Sequence, residues 1–236
     1  FRPTEEEAEA VIVSAGLEEA RNQIRKAARK DVRVVLAAGK GQDSETVSFT
    51  AELAWEAAGK PVLAEQRRYE IVVAGKTRTI DVTSRMKPAK GDVTFGDTKE
   101  GSFAIRTAPS LRLVGAVAKG KITNSEGAKD NDAWGKRARW VAYHGPDSKG
   151  TPQVIAILDH NRNLRHPTWW HARTYGLVAA NPFGIHDFEG KPDGAGDMTV
   201  PAGESITLRY RFVFHEGDAN QAKIAERYAA FAKSEE

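Results

Sequence analysis

The residue types best suited to chemistry are concentrated in one stretch, LDHNRNLRHPTWWHAR, residues 158–173. This stretch holds three of the six histidines of the chain and two of its five tryptophans. An imidazole beside a carboxylate can transfer protons. We therefore predict that His166 or His171 acts as a general acid or base, with Asp159 as a candidate partner. The alternative is that these histidines are hydrogen-bonded core residues beside an aromatic corner of the fold.

The same histidines are also candidate metal ligands. Imidazole nitrogens and carboxylate oxygens bind divalent transition metals. The spacing matches no established zinc signature such as His-Glu-x-x-His, so the cofactor stays open and a divalent metal is one possibility. The candidate ligands are His160, His166, His171 and, from the NPFGIHDF segment, His186.

Two polar segments could supply further groups to a site. GDTKEGSF (96–103) contains Glu100 close to a lysine and an aspartate, and NSEG (124–127) contains Glu126. Neighbouring charges separate pKa values, as acid–base chemistry requires, so both glutamates are predicted catalytic partners. The alternative for both segments is a solvated turn.

Arginine, lysine and tryptophan side chains can hold a sugar through hydrogen bonds, ion pairs and ring stacking. In the segment AWGKRARW (133–140) these types lie together, and the alternative there is a strand with a polar side. The predicted substrate-binding residues are Arg106, Trp134, Lys136, Arg137, Trp169, Trp170 and Arg173. Both tryptophans at 169 and 170 are expected in a loop, where they would stack on a sugar face.

The elements that must position these residues are mainly strands. Segments such as 45–55 and 206–216 alternate apolar and polar residues, which is typical of half-buried antiparallel strands. Residues 1–30 are predicted to form a helical arm, and 31–236 a single β-sandwich domain that ends in a helix over 218–233. Asp218 is the expected N-cap of that helix. The sequence therefore predicts a mostly β, antiparallel β-sandwich with helices at both ends.

Composition narrows the class of protein further. The chain of 236 residues has no cysteine, which excludes disulfides, thiolate metal sites and cysteine nucleophiles. The absence of cysteine fits cytoplasm and periplasm equally well. The net charge is only +3 and basic residues are interspersed with acidic ones, so no nucleic-acid partner is expected. No run of 18 apolar residues exists, so we expect no membrane span.

Several long motifs carry a resemblance to a known family. A bacterial family labelled methane oxygenase PmoA-like resembles the chain in four segments, TFGDTKEGSFAIRTAPSLR, AWGKRARWVAYHGP, VIAILDHNRNLRHPTWWHARTYGLVAANPFGIHDF and LRYRFVFHEGD. The resemblance covers about residues 46–232, and the N-terminal third typical of that family is not matched. It implies a soluble β-sandwich found among sugar-degradation genes, and the strands are similar to the galactose-mutarotase-like supersandwich.

Three hypotheses for function follow. The first is a carbohydrate-active enzyme, a hydrolase, lyase or epimerase, with a small-molecule sugar over a concave sheet face. The second is a metal-dependent oxidoreductase, as the label of the resembled family implies. The third is a non-catalytic sugar-binding or assembly module, with homo-oligomers formed through the N-terminal helices.

Overall fold

The computed structural model describes the backbone of residues 34–40 and all of residues 44–234. Within these ranges the chain forms thirteen strands and three short α-helices. The strands are β1 (Val34–Lys40), β2 (Glu45–Ala57), β3 (Lys60–Ala74), β4 (Thr77–Pro88), β5 (Val93–Phe95), β6 (Phe103–Arg106), β7 (Lys121–Asn124), β8 (Trp140–Pro146), β9 (Pro152–Asp159), β10 (Trp169–Ala172), β11 (Leu177–Asn181), β12 (Met198–Val200) and β13 (Ile206–Glu216). The helices are α1 (Ile185–Glu189), α2 (Ala219–Ala222) and α3 (Ile224–Phe231). The predicted helical arm over 1–30, and with it the predicted oligomer contact, lies outside the described residues.

All the strands that are described pair antiparallel with their neighbours, in three sheets. The large sheet has eight strands in the order β1-β2-β3-β4-β13-β9-β8-β7. A three-stranded sheet has the order β10-β11-β6, and β12 pairs with β5. The predicted mostly β, antiparallel β-sandwich class is confirmed.

Two turns show how local sequence connects consecutive strands. Ala58 and Gly59 have positive φ values of 50° and 71°, which suits the tight turn that joins β2 to β3. The segments ARWVAYHG and PQVIAILDH, which the turn residues PDSKG separate in the sequence, predict a hairpin, and β8 and β9 form it. In its turn, the Asp147 carboxylate accepts from the backbone N–H groups of Lys149 and Thr151.

The large sheet is covered on both faces near its centre, and β9 illustrates this. Ile157 belongs to the core that the large sheet forms with the smaller sheets, together with Trp170. Ala156 and Leu158 point to the other face and pack with Phe231 of α3. Because side chains of a strand alternate between faces, the smaller sheets lie on one face of the large sheet and the C-terminal helices on the other.

The predicted C-terminal helix is interrupted. Asp218 is its N-cap, as predicted, and it forms a capping box with Gln221. Lys223, however, has a φ of 47°, a left-handed conformation that ends α2 and starts α3 in a new direction. The single helix predicted over 218–233 is therefore divided into two helices.

The segment 161–187 was expected to be a loop, and this expectation is wrong. It contains β10, β11 and the start of α1. Short strands buried on both sides need no strict alternation, so their pattern resembles that of a buried loop. No helix among the residues that the structure describes is long and apolar enough to cross a membrane.

Candidate active site on the three-stranded sheet

The outer face of the three-stranded sheet carries a row of three residues from three strands. His171 of β10 pairs with Ala179 of β11, which pairs with Ala104 of β6. The residues before and after His171, Trp170 and Ala172, point inward into the core. His171 therefore faces away from the large sheet, beside Ala179 and Ala104.

His171 is almost completely enclosed, with 3% of its surface exposed. The indole N–H of Trp134 lies 3.4 Å from its Nδ1 atom, and Phe188 packs edge-on against the same indole. Burial, and after it the positive charge of Arg173, lowers the pKa of His171, so the ring is neutral at pH 7. A donor on Nδ1 fixes the neutral tautomer, with the proton on Nε2.

Two arginines, Arg106 and Arg173, lie on the same face of the sheet, two residues along the chain from Ala104 and His171 respectively. Arg106 pairs with Leu177, and the backbone N–H of Arg173 donates to the Leu177 carbonyl. Both guanidinium groups lie over the ring of Tyr175, at 5.6 Å and 5.5 Å from its centroid. Each cation is attracted to the ring by a cation–π interaction, which places two positive charges around Tyr175.

The loop 96–101 brings Glu100 and Lys99 to this face. Gly101 crosses β11 so closely that a Cβ atom there would lie 2.5 Å from the Cβ of Ala179, and its φ is 80°. The side-chain amide of Asn181 donates to the Thr98 carbonyl at 2.6 Å, which fixes the loop. The charge of Glu100 raises the pKa of His171 and that of Lys99 lowers it, so both groups are within electrostatic range.

We call this group the sheet-face site. It contains five of the residues that the sequence singled out, together with Lys99 and Tyr175. Its members are Lys99, Glu100, Arg106, Trp134, His171, Arg173 and Tyr175. Tyr175 was not predicted from the sequence. Its only sequence signal is that an aromatic residue stands before Gly176 in a turn.

A second cluster, the rim cluster, contains the other predicted acid–base residues. His166 Nδ1 lies 2.7 Å from Oδ2 of Asp159, and its Nε2 lies 3.2 Å from the hydroxyl of Tyr228. Asp159 also accepts from the backbone N–H of Thr168 at 2.9 Å and from the Asn163 side-chain amide at 2.7 Å. One ring nitrogen of His166 is therefore paired with a carboxylate, and the other is hydrogen-bonded to a hydroxyl.

An open depression of about 550 Å³ lies next to the rim cluster. Glu126 lines it and forms an ion pair with Arg139 at 3.2 Å. Arg137 lines it as well, but its guanidinium lies over the Trp169 ring and donates to the backbone carbonyls of Arg165, His166 and Pro167. Glu126, Arg137, Asp159 and His166 are thus brought together, on a different part of the surface from His171.

Two predicted sugar-stacking residues cannot have that role in this structure. Trp170 has no exposed surface, and its indole N–H donates to the Ala138 carbonyl inside the core. Trp169 is 4% exposed, lies beneath Arg137 and donates to Glu189. The prediction failed because both residues belong to β10, which is covered on both faces. Lys136, another predicted substrate-binding residue, is exposed, and its backbone carbonyl accepts from the backbone N–H of Trp170.

The predicted metal ligands are not gathered. His160 is buried against Phe231, and His186 bonds to the Lys191 carbonyl, while His166 and His171 belong to the two separate clusters. In residues 44–234, no group of three or more histidine, aspartate or glutamate side chains could hold a metal ion. The predicted ligand set is therefore wrong for the described part of the chain.

The fold and the sheet-face site define a mostly β protein with a histidine, a glutamate and several cations on the outer face of a small sheet. The chain belongs to a family of unknown function, DUF6807, whose model matches residues 21–229. The resemblance to a methane oxygenase PmoA-like family was wrong, because the family that matches carries no such label, and its match begins at residue 21 instead of 46.

Among solved structures, the chain is similar to a crystal structure from Klebsiella pneumoniae subsp. pneumoniae that carries a provisional assignment as an aldose 1-epimerase. The sequence identity is 11% and the TM-score is 0.37. The match covers 86% of this chain and 59% of that structure, so the chain spans less than two thirds of its length. No curated protein matches the chain.

Proposed function

We propose that the chain binds a carbohydrate that bears a carboxylate at the sheet-face site and transfers a proton to or from it. The observation that carries this proposal is the neutral, enclosed imidazole of His171 in one face with Arg106 and Arg173. An arginine guanidinium matches the planar geometry of a carboxylate, and both Arg106 and Arg173 contact Tyr175. A substrate carboxylate bound there would place the rest of the sugar towards His171.

The residues divide the chemistry between them in the following way. Glu100 is exposed and takes the role of the general base, which removes the proton from the carbon next to the substrate carboxylate. The pair of electrons released moves onto the carboxylate oxygens, where Arg106 and Arg173 stabilise the added negative charge. His171 donates a hydrogen bond through Nε2–H to an oxygen of the same substrate. Delivery of a proton from water to the opposite face gives an epimer, and Glu100 then releases the proton that it removed to water. Alternatively, the electron pair forms a C=C bond while a neighbouring oxygen group leaves with its bonding electrons and takes a proton from water, which gives a lyase product.

A second candidate function is sugar binding without turnover. It is favoured by the surroundings of the His171 imidazole, whose only hydrogen-bonding partner within residues 44–234 is the Trp134 indole, with no hydrogen bond to Glu100. A base without a fixed orientation contributes less to catalysis. This candidate predicts saturable binding of a sugar acid, with no product and no proton exchange.

The experiment that tests both candidates is proton exchange with solvent. Uronic acids and their short oligomers are incubated with the protein in D2O, and ¹H NMR follows loss of the signal next to the carboxylate. Exchange that is lost in Glu100→Gln and in Arg173→Gln, but retained in Arg137→Gln, supports catalysis at this site. Binding without exchange supports the second candidate, and absence of both for every sugar acid overturns the proposal.

A further inference from the structure

The rim cluster contains a chain of three groups that has no part in the function proposed above. Oδ2 of Asp159 lies 2.7 Å from Nδ1 of His166, and the Tyr228 hydroxyl lies 3.2 Å from Nε2 of the same ring. The three residues come from the end of β9, the segment before β10 and helix α3. A carboxylate, an imidazole and a hydroxyl in this order form the arrangement in which a base activates a hydroxyl nucleophile.

The carboxylate determines which nitrogen of His166 acts as the base. Asp159 has no exposed surface, and it also accepts from the backbone N–H of Thr168 and the side-chain amide of Asn163. An ionised carboxylate offers only acceptors, so in the neutral ring the Nδ1 atom that faces it carries the proton. The lone pair of Nε2 then faces the Tyr228 hydroxyl. The charge of Asp159 stabilises the imidazolium that forms when Nε2 takes a proton.

The open depression of about 550 Å³ borders this chain of groups. His166 and Arg139 both line it. The guanidinium of Arg139 lies over the Tyr228 ring, 5.7 Å from its centroid, so Tyr228 contacts two of the lining residues. A volume of this size is typical of a site for a small molecule.

The charges of the lining favour a ligand with a single negative charge. Arg137 and Arg139 supply two positive charges, and Glu126, which is paired with Arg139 at 3.2 Å, supplies one negative charge. Within residues 44–234, the backbone contacts of Arg137 engage its Nε and Nη2 groups, so Nη1 is available to a ligand. Guanidinium groups stabilise the oxygens of a transferring phosphoryl group. A phosphodiester carries one negative charge, whereas a phosphate monoester carries close to two at pH 7.

We propose that the rim depression is a second active site, which hydrolyses a phosphodiester of small alcohols with Tyr228 as nucleophile and His166 as base. Oη of Tyr228 forms a bond to phosphorus while its proton passes to Nε2 of His166. One ester P–O bond breaks, and the leaving oxygen keeps the bonding electrons and takes the proton from His166. Arg137 and Arg139 stabilise the negative charge that develops on the phosphoryl oxygens.

Water completes the reaction. It attacks the phosphorus of the phosphotyrosine, the bond from phosphorus to Oη breaks, and a proton of the water reaches Oη through His166. The sum is one diester and one water converted to one phosphate monoester and one alcohol, with no further reactant. The rim depression and the sheet-face site lie on different parts of the surface, so this inference stands whether or not the function proposed above is correct.

The test is the release of 4-nitrophenolate from bis(4-nitrophenyl) phosphate by the full chain, followed by absorbance. We expect the rate to fall at least about a hundredfold in Tyr228→Phe and in His166→Gln, because the nucleophile or its base is removed. Tyr69→Phe is the matched control, since Tyr69 is also half-buried and its hydroxyl accepts from Arg67 in β3. This variant should keep the rate of the unmodified protein.

A second measurement does not depend on whether a variant folds. The unmodified protein is quenched with acid during the first turnover, and its peptides are analysed by mass spectrometry for a 4-nitrophenyl phosphoryl group, which we expect on Tyr228. A group on another residue or on none overturns the proposal. So does an absence of 4-nitrophenolate release, or an unchanged rate in Tyr228→Phe.

Two natural phosphodiesters identify the source of the ligand once the diester probe is cleaved. A dinucleoside monophosphate represents nucleotides, and glycerophosphocholine represents lipid headgroups. Cleavage of one of them that is lost in Tyr228→Phe supports the proposal and assigns its substrate. If both stay intact, the proposed phosphodiester of small alcohols is overturned.

Discussion

The Nδ1 atom of His166 lies 2.7 Å from an oxygen of Asp159, a carboxylate with no exposed surface at the end of β9. Every polar contact of that carboxylate is with a donor of the segment 163–168. Burial, and after it the charge of Asp159, raises the pKa of Tyr228, whose hydroxyl is hydrogen-bonded to His166 Nε2 at 3.2 Å. The rim cluster thus ties this segment to helix α3.

We predict that Asp159→Asn reduces the free energy of unfolding by about 2–4 kcal/mol, because the new amide group faces donors and leaves buried polar atoms unpaired. Urea denaturation measures the change. Asp132→Asn is the control, since Asp132 is exposed, and its effect is expected to stay within about 0.5 kcal/mol. An equal effect of the two variants would mean that the cluster does not stabilise the fold.

Trp134→Phe tests how the tautomer of His171 is fixed. The indole N–H donates to Nδ1 and stabilises the neutral ring, so we expect the pKa of His171 to rise when this donor is removed. A pH titration of the imidazole signals by NMR measures this directly. Trp140→Phe, a half-buried tryptophan that packs in the other core, should leave this pKa unchanged. A pKa of His171 that falls or stays constant in Trp134→Phe would contradict the assignment.

Glu65 is a buried carboxylate in β3 that accepts four hydrogen bonds. Two come from Arg67 at 2.6 Å and 2.8 Å, one from Ser84 at 2.6 Å and one from the Trp55 indole at 2.7 Å. Burial raises the pKa of Glu65, but the donated hydrogen bonds outweigh this effect and lower it overall.

We predict that Glu65→Gln costs about 2–4 kcal/mol of unfolding free energy, since it leaves the half-buried Arg67 without its counter-charge. Glu70→Gln removes a similar carboxylate from the more exposed pair with Arg68 and should cost at most about 1 kcal/mol. Chemical denaturation of both variants makes the comparison. Loss of the same size in the two variants would show that burial of Glu65 adds nothing to the pair.

The stability of the protein should fall as the solution becomes acidic. Burial lowers the pKa of four histidines, His144, His160, His171 and His215. The unfolded chain then binds protons that the folded chain does not, so the unfolding free energy decreases as the pH falls through about 6.5. The exposed His186 has a raised pKa, which has the opposite sign.

Urea midpoints measured between about pH 8 and about pH 5.5 check this expectation. His144→Gln should flatten the dependence, because one of the four proton-linked groups is removed. Stability that stays constant or increases as the pH falls through this range would show that the buried histidines are protonated in the folded protein.

The sequence by itself determined the fold class and several local features. Alternating strands, the hairpin of β8 and β9 and the Asp218 N-cap were predictable, because they depend on residues near each other in the chain. It also singled out several residues that the fold brings close together. Glu100, Arg106, Trp134, His171 and Arg173 do lie around one sheet face.

Only the tertiary structure decided which of these residues meet. His166 and His171 are five residues apart, yet one is hydrogen-bonded to Asp159 and the other lies on a separate sheet, because β10 begins between them. Trp169 and Trp170 are covered for the same reason. Helix α3 is far from β9 in the chain, and its packing on the large sheet brings a tyrosine to His166. Long-range strand pairing and helix packing set these distances, and neither is encoded in any local pattern of the chain.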